Sequence, residues 1–178
     1  MNLLRTIRLD PSDGFVFARA AAPGQWAVSG AFLFDGADPE MLDAKARVAL
    51  RGGLLGIADF GWSTLAVVVE ADAAERADAV ETLARALVEH CGAPDVATAR
   101  PAAEEEIAFA AALAEHPVGT LVAVRRHFEE GALREQFRTL ARRPGGDLHA
   151  GARVFQIVES DEAPAEHVDL AALARGRG

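Results

Sequence analysis

Apolar positions along this chain switch between two periods. Thr64-Leu65-Ala66-Val67-Val68-Val69 is a short apolar run that reads as a strand. It leads through Glu70-Ala71 into a stripe of Val80, Leu83, Ala84, Leu87, Val88 and Cys91, whose spacing follows a helix. Asp72 and Glu75 stand three apart at the start of that helix, the spacing of a capping box with Asp in the Ser/Thr role. Gly92 and then Pro94 end it.

The same reasoning predicts the other elements. Residues 3–9 alternate loosely and form a strand, Phe15-Val16-Phe17 a second short one, and residues 25–34 a longer one. Gly30 inside the last marks a bulge or a close approach. Asp38 followed by Pro39 starts a helix whose Leu42, Ala46, Ala49 and Leu50 share a face, and Gly52-Gly53 stops it in the left-handed conformation. Strands follow at 54–58 and 63–69. A third helix starts at or just before Pro101 and runs to about His116. Leu121–Val124 is a strand, Leu133, Phe137 and Leu140 mark a short fourth helix, and Arg153–Val158 alternates as a final strand.

This order predicts an α+β fold: a ferredoxin-like (split βαβ) sheet with helices on one face and additional N- and C-terminal strands. Residues 1–159 form one domain, and 160–178, polar, Ala-rich and Gly-ended, a loose tail.

Composition narrows the functional classes. Apolar residues make up 51% of the chain, enough for a full core, although much of that is alanine. A net charge of −9 disfavours nucleic acid and anionic membrane as partners. No segment approaches the ~18 continuous apolar residues of a membrane span. Cys91 is the single cysteine, which excludes an intrachain disulfide, and no N-terminal run resembles a signal peptide. A protein of the reducing cytoplasm is expected.

Several chemistries have no signature here. Lys45 is the only lysine and no P-loop surrounds it. Gly52-Gly53-Leu54-Leu55-Gly56 follows a helix rather than a strand, so it is not a dinucleotide fingerprint. Gly61-Trp62-Ser63-Thr64 lacks the second glycine of a nucleophile elbow, since Leu65 stands there. The histidines at 90, 116, 127, 149 and 167 show no zinc spacing. No cofactor, metal or catalytic residue is expected, and the chain leans away from being an enzyme.

Four features can carry function. Glu104, Glu105 and Glu106 open the third helix and can ligate a metal or move a proton. The plainer account is that acids in a first turn complement the helix dipole, each by about 0.3–1 kcal/mol. Glu106, on the Leu113 side, is the best half-buried carboxylate. Residues 125–143 hold six arginines against three glutamates in an otherwise acidic chain. Arg134, Arg138 and Arg142 repeat every four residues, one row on a helix, and can meet an acidic surface on a partner or a second protomer. The plainer account is a solvated face with Glu130–Arg134 pairing. Trp62, at a strand start, lines a pocket or caps the core. Arg125, Arg126 and His127 stand at a strand end, where His127 is a candidate ligand contact or simply a surface residue. Cys91, on the apolar stripe, is expected to be structural and unreactive.

Four short stretches together resemble a family of small bacterial proteins known as a domain of unknown function. They are Arg8-Leu9-Asp10-Pro11-Ser12-Asp13, Phe60-Gly61-Trp62-Ser63, Arg100-Pro101-Ala102-Ala103-Glu104-Glu105-Glu106-Ile107 and Arg134-Glu135-Gln136-Phe137-Arg138. The resemblance brings no catalytic residues with it. It implies one narrower role, an accessory factor for a molybdenum-dependent oxidoreductase such as formate dehydrogenase.

The leading expectation is a non-enzymatic cytoplasmic protein that binds another protein or itself through the Arg134, Arg138 and Arg142 row. The alternative is a small-molecule binder or enzyme for an anionic ligand, with a pocket near Trp62, Glu106, Arg125, Arg126 and His127.

Overall fold

Leu3, Leu4 and Thr6 are all buried in β1 (Asn2–Ile7). Successive strand side chains point to opposite faces, so this strand is covered on both sides. Its place in the fold explains why. In a computed structural model, which describes residues 1–8, 11–142 and 155–159, β1 lies at the centre of an eight-stranded sheet. On one flank stand β2 (Trp26–Val28), β3 (Leu54–Gly56) and β4 (Trp62–Ser63). On the other stand β5 (Leu65–Glu70), β6 (Leu121–Glu129), β7 (Ala132–Arg142) and β8 (Phe155–Glu159). The order is β4-β3-β2-β1-β5-β6-β7-β8.

The mixed helix and sheet content makes the chain α+β. Every ladder between these strands is antiparallel. These ladders do not confirm the ferredoxin-like expectation, in which helices connect parallel strands that flank a third. The long helical connection from β5 to β6 joins antiparallel neighbours, whereas a βαβ unit joins parallel ones.

That connection is a helical hairpin, α3 (Ala73–Cys91) and α4 (Val96–Leu113). α3 begins as its sequence predicts. The Asp72 carboxylate accepts from the Glu75 amide at 2.8 Å, and Glu75 accepts from the Asp72 amide at 3.0 Å. Gly92, at φ 74°, ends it. Val80, Leu83 and Leu87 of α3 share one core cluster with Ala99, Ala103 and Ile107 of α4 and with Leu3, Val28 and Leu55 of the sheet. The alanines on α4 let the two helices approach closely. Cys91 departs from its expected place on the stripe: it is exposed at the last turn of α3.

Several local elements differ from the sequence expectations, each for a physical reason. Residues 13–16 form a short helix, α1 (Asp13–Val16), rather than part of a strand. The buried Asp13 carboxylate holds it by accepting from the Thr64 hydroxyl. β2 stops at Val28, because Gly30 takes φ 76° and starts a single 3-10 turn over Ala31–Phe34. The next helix, α2 (Ala44–Gly52), begins five residues beyond Pro39, where Asp43 accepts from the Ala46 amide at 2.8 Å. Asp38 instead accepts from the Glu40 amide in a preceding turn. Gly53 ends α2 in an extended conformation, φ −89°, rather than a left-handed one.

α4 starts before Pro101, which lies inside it. Asp95 is the true cap, accepting from the Thr98 amide at 2.8 Å. Glu104, Glu105 and Glu106 are therefore in mid-helix, and the dipole at a first turn does not account for them. Hydrogen bonding to Thr98 pulls the Asp95 carboxyl below the ordinary carboxylate range. A depressed folded-state value contributes stability above the unfolded value, and that contribution is lost as pH falls through the folded one. Asp95→Asn keeps the cap without the charge. Its stability relative to the wild type, measured by urea unfolding, is expected to improve as pH drops from 6 towards 3. A pH-independent difference would refute the assignment.

The largest departure is residues 133–140, which are not a helix but the middle of β7. Glu130 and Gly131 take φ 51° and 80°. Two positive φ values at a two-residue connection make the turn that matches the twist of a hairpin. Residues 143, 153–154 and the 160–178 tail lie outside the described residues.

Candidate functional site

The β6–β7 hairpin sorts its arginines to opposite faces. Val122, Val124 and Arg126 are buried, while Arg125 and His127 between and after them are exposed. The pairing register sets Arg126 opposite Glu135, Val124 opposite Phe137 and Val122 opposite Thr139. These residues make the inner face. His127 stands opposite Arg134, Arg125 opposite Gln136, and Ala123 opposite Arg138, and these make the outer face.

On the inner face Arg126 is fully enclosed. Its side chain is 0% exposed and that of Glu135 6%, with Nε donating to Oε1 at 2.7 Å. Nη1 reaches the carbonyls of Ala49, Leu50 and Gly53 at 3.4, 3.3 and 2.8 Å. Nη2 donates to the Ser29 carbonyl and to Ser29 Oγ. Ser29 Oγ in turn donates to Glu135. A guanidinium has five N–H donors, and each has an acceptor here. Three of those acceptors belong to the C-terminal end of α2, the negative end of the helix dipole. Arg126 thus ties α2, the end of β2 and both strands of the hairpin into one unit. Burial pushes its pKa down, opposed by the charges of Glu135 and Glu106.

Glu106 of α4 is half-buried and close enough for its charge to favour the Arg126 cation, while Glu104 and Glu105 are exposed. Trp62 is half-buried, stacked on Phe34 with ring centroids 5.4 Å apart. It also lies against Gly53, whose carbonyl accepts from Arg126. The structure therefore gathers Trp62, Glu106 and Arg126 around a filled interior. Arg125 and His127 are directed away from it.

On the outer face, Arg125, Arg134 and Arg138 form a row of guanidinium groups over two strands beside His127, with Glu129 in phase with His127 and Glu159 of β8 opposite Arg138 in register. Arg134 pairs with Glu129 at 3.3 Å, and Arg138 is partly buried. Residues four apart share a face on a strand as they do on a helix, so Arg134 and Arg138 stay together although the element changed. Arg142 ends β7. Arg125 and His127 make no ion pair with any described residue.

A second feature has no counterpart in the sequence expectations. Arg5 of β1 lies over the indole of Trp26, 3.5 Å from the ring centroid. It also donates to the Gly24 carbonyl and stands 3.5 Å from Glu75 of α3. Beside them is an open cleft of about 480 Å³, floored by Trp26 and Ile57 and rimmed by Arg5, Glu75, Asp78 and Thr82. Only the pairing of β1 with β2 and the lie of α3 bring these residues together. Arg126, by contrast, had a signal: it falls in phase with Val122, Val124 and Phe128 along β6.

Among the described residues, no group of His, Cys, Asp and Glu can hold a metal, and no helix is long and apolar enough to cross a membrane. Residues 1–153 match the model of a family described as of unknown function, DUF6505. No curated protein and no solved structure matches the chain.

Proposed function

We propose that this chain, which belongs to the DUF6505 family of unknown function, is a non-enzymatic binding protein whose β6–β7 hairpin docks on an acidic protein surface. The observation that carries this reading is the outer face of the hairpin. It gathers Arg125, His127, Arg134 and Arg138 on a chain of net charge −9. Arg126 supports it from beneath. Its bonds to α2 and β2 hold both strands in one geometry, so the charges stand on a pre-organised ribbon rather than on a loose arm. An anionic-ligand pocket around Trp62 and Arg126 has less support, because the donors of Arg126 are already taken. A cytoplasmic setting suits the exposed, lone Cys91.

The test is retention on immobilised poly-glutamate at neutral pH and low salt. The wild type is expected to be retained despite its net charge and to elute as salt screens the contact. The double variant Arg125→Glu, Arg134→Glu is expected to pass through. Flow-through of the wild type, or equal retention of the variant, would overturn the reading.

A further inference from the structure

We infer that the acidic surface is on a second copy of this chain: the cationic hairpin of one copy docks in the Trp26–Glu75–Asp78 cleft of another. The inference rests on the binding function above and names its partner. Three observations carry it. The first is charge complementarity. Arg125 is exposed and makes no ion pair with any described residue, and the same holds for Asp78 on the cleft rim. The second is the chemistry of the cleft. Its indole already carries one guanidinium, Arg5, at 3.5 Å, with Glu75 beside it. An indole face bordered by carboxylates attracts a guanidinium through both its quadrupole and its neighbouring charge. A second guanidinium arriving from outside meets the exposed Asp78 on the rim, beside the Arg5–Glu75 pair.

The third is closure. Each copy has both halves of the contact, donor hairpin and acceptor cleft. An isologous pair makes such a contact twice, once in each direction. The negative charge of each copy opposes approach at long range. The contact therefore depends on these particular side chains rather than on overall attraction.

Sedimentation velocity of the full chain tests the inference. The wild type is expected to be dimeric in the micromolar range. Arg125→Glu alone and Asp78→Arg alone are each expected to weaken the dimer by about tenfold or more, since each sets like charges against each other. Both positions are exposed, and an unchanged thermal unfolding curve confirms that each variant folds. The decisive arm is a mixture of the two variants. The acidic hairpin of one meets the basic cleft of the other, and the unaltered hairpin meets the unaltered cleft, so dimers are expected to return. A monomeric wild type, single variants that dimerise normally, or a mixture that stays monomeric would each overturn the inference. A monomeric wild type that is still retained on poly-glutamate through Arg125 and Arg134 removes only the second copy as partner. Loss of that retention removes the binding function as well.

Discussion

Arg126→Met is expected to lower the unfolding free energy by about 3–5 kcal/mol, the usual result of removing one member of a buried ion pair. The cost has two parts. Glu135, with a side chain only 6% exposed, loses the cation that balances its charge. The carbonyls of Leu50 and Gly53 lose this donor at the end of α2, while Ala49 keeps the Gly53 amide, and a buried carbonyl left without its donor is itself costly. For a chain of this size the thermal midpoint should fall by roughly 10 °C. The pH dependence identifies the first part. Without the arginine, Glu135 is easier to protonate in the folded state than in the unfolded one. Its folded-state value is then raised, the folded state binds more protons, and the variant loses stability as pH rises through the interval between the two values. Relative to the wild type, the variant should therefore recover as the pH is lowered. Adding Glu135→Leu should restore part of the loss at neutral pH but not all of it, because the Leu50 and Gly53 carbonyls still lack this donor. Urea unfolding of the wild type and the two variants measures each quantity. A loss below about 1 kcal/mol for Arg126→Met would show that the network is dispensable.

Gly30→Ala should cost about 2–4 kcal/mol, combining left-handed backbone strain with overpacking. Gly30 has φ 76°, and a Cβ placed there would lie 2.7 Å from the Leu55 Cβ and 3.0 Å from the Trp62 ring. Neither neighbour yields easily. Leu55 is fully buried, and Trp62 is held between Phe34 and Gly53. Gly36→Ala is the matched control. It has φ 68° with nothing within 4 Å, so it carries the strain without the clash and should cost only about 1 kcal/mol. Equal losses at the two glycines would mean that the packing of Trp62 against Gly30 contributes nothing.

The two experiments bear on function through the same assembly. Trp62, Gly53 and Arg126 connect the β3–β4 end of the sheet, α2 and the hairpin. Loosening that connection should blur the outer strip without touching a residue on it. Poly-glutamate retention of a folded but destabilised variant would therefore weaken along with its stability.

Local signals in the chain were enough for much of the framework. The Asp72–Glu75 pair determined where α3 begins, and the run at 64–69 marked β5, because both depend on atoms a few residues apart. The family resemblance was also legible in short stretches spread over most of the chain. The β6–β7 hairpin is masked in the sequence, because Leu133, Phe137 and Leu140 satisfy a helical spacing. The competing signal was a Glu-Gly pair between two alternating runs, a weaker hairpin marker than Asn-Gly or Asp-Gly. With the turn at Glu130-Gly131, Glu135 falls in phase with Leu133 and Phe137, opposite an in-phase Arg126.

Membership of the family, the cap and extent of α3, most of the apolar strands and the arginine enrichment of 125–143 are all local properties of the chain. Which arginine goes inside, and what stands opposite the rest, follows from the fold alone. Residues 29, 49–53, 126 and 135 are far apart in sequence and meet only when strand order and register are set. The Arg5–Trp26–Glu75 cleft likewise needs β1 paired with β2 and α3 laid beside them. Short-range periodicity records whether a side chain faces in or out, and the partner it finds there depends on pairings between distant segments.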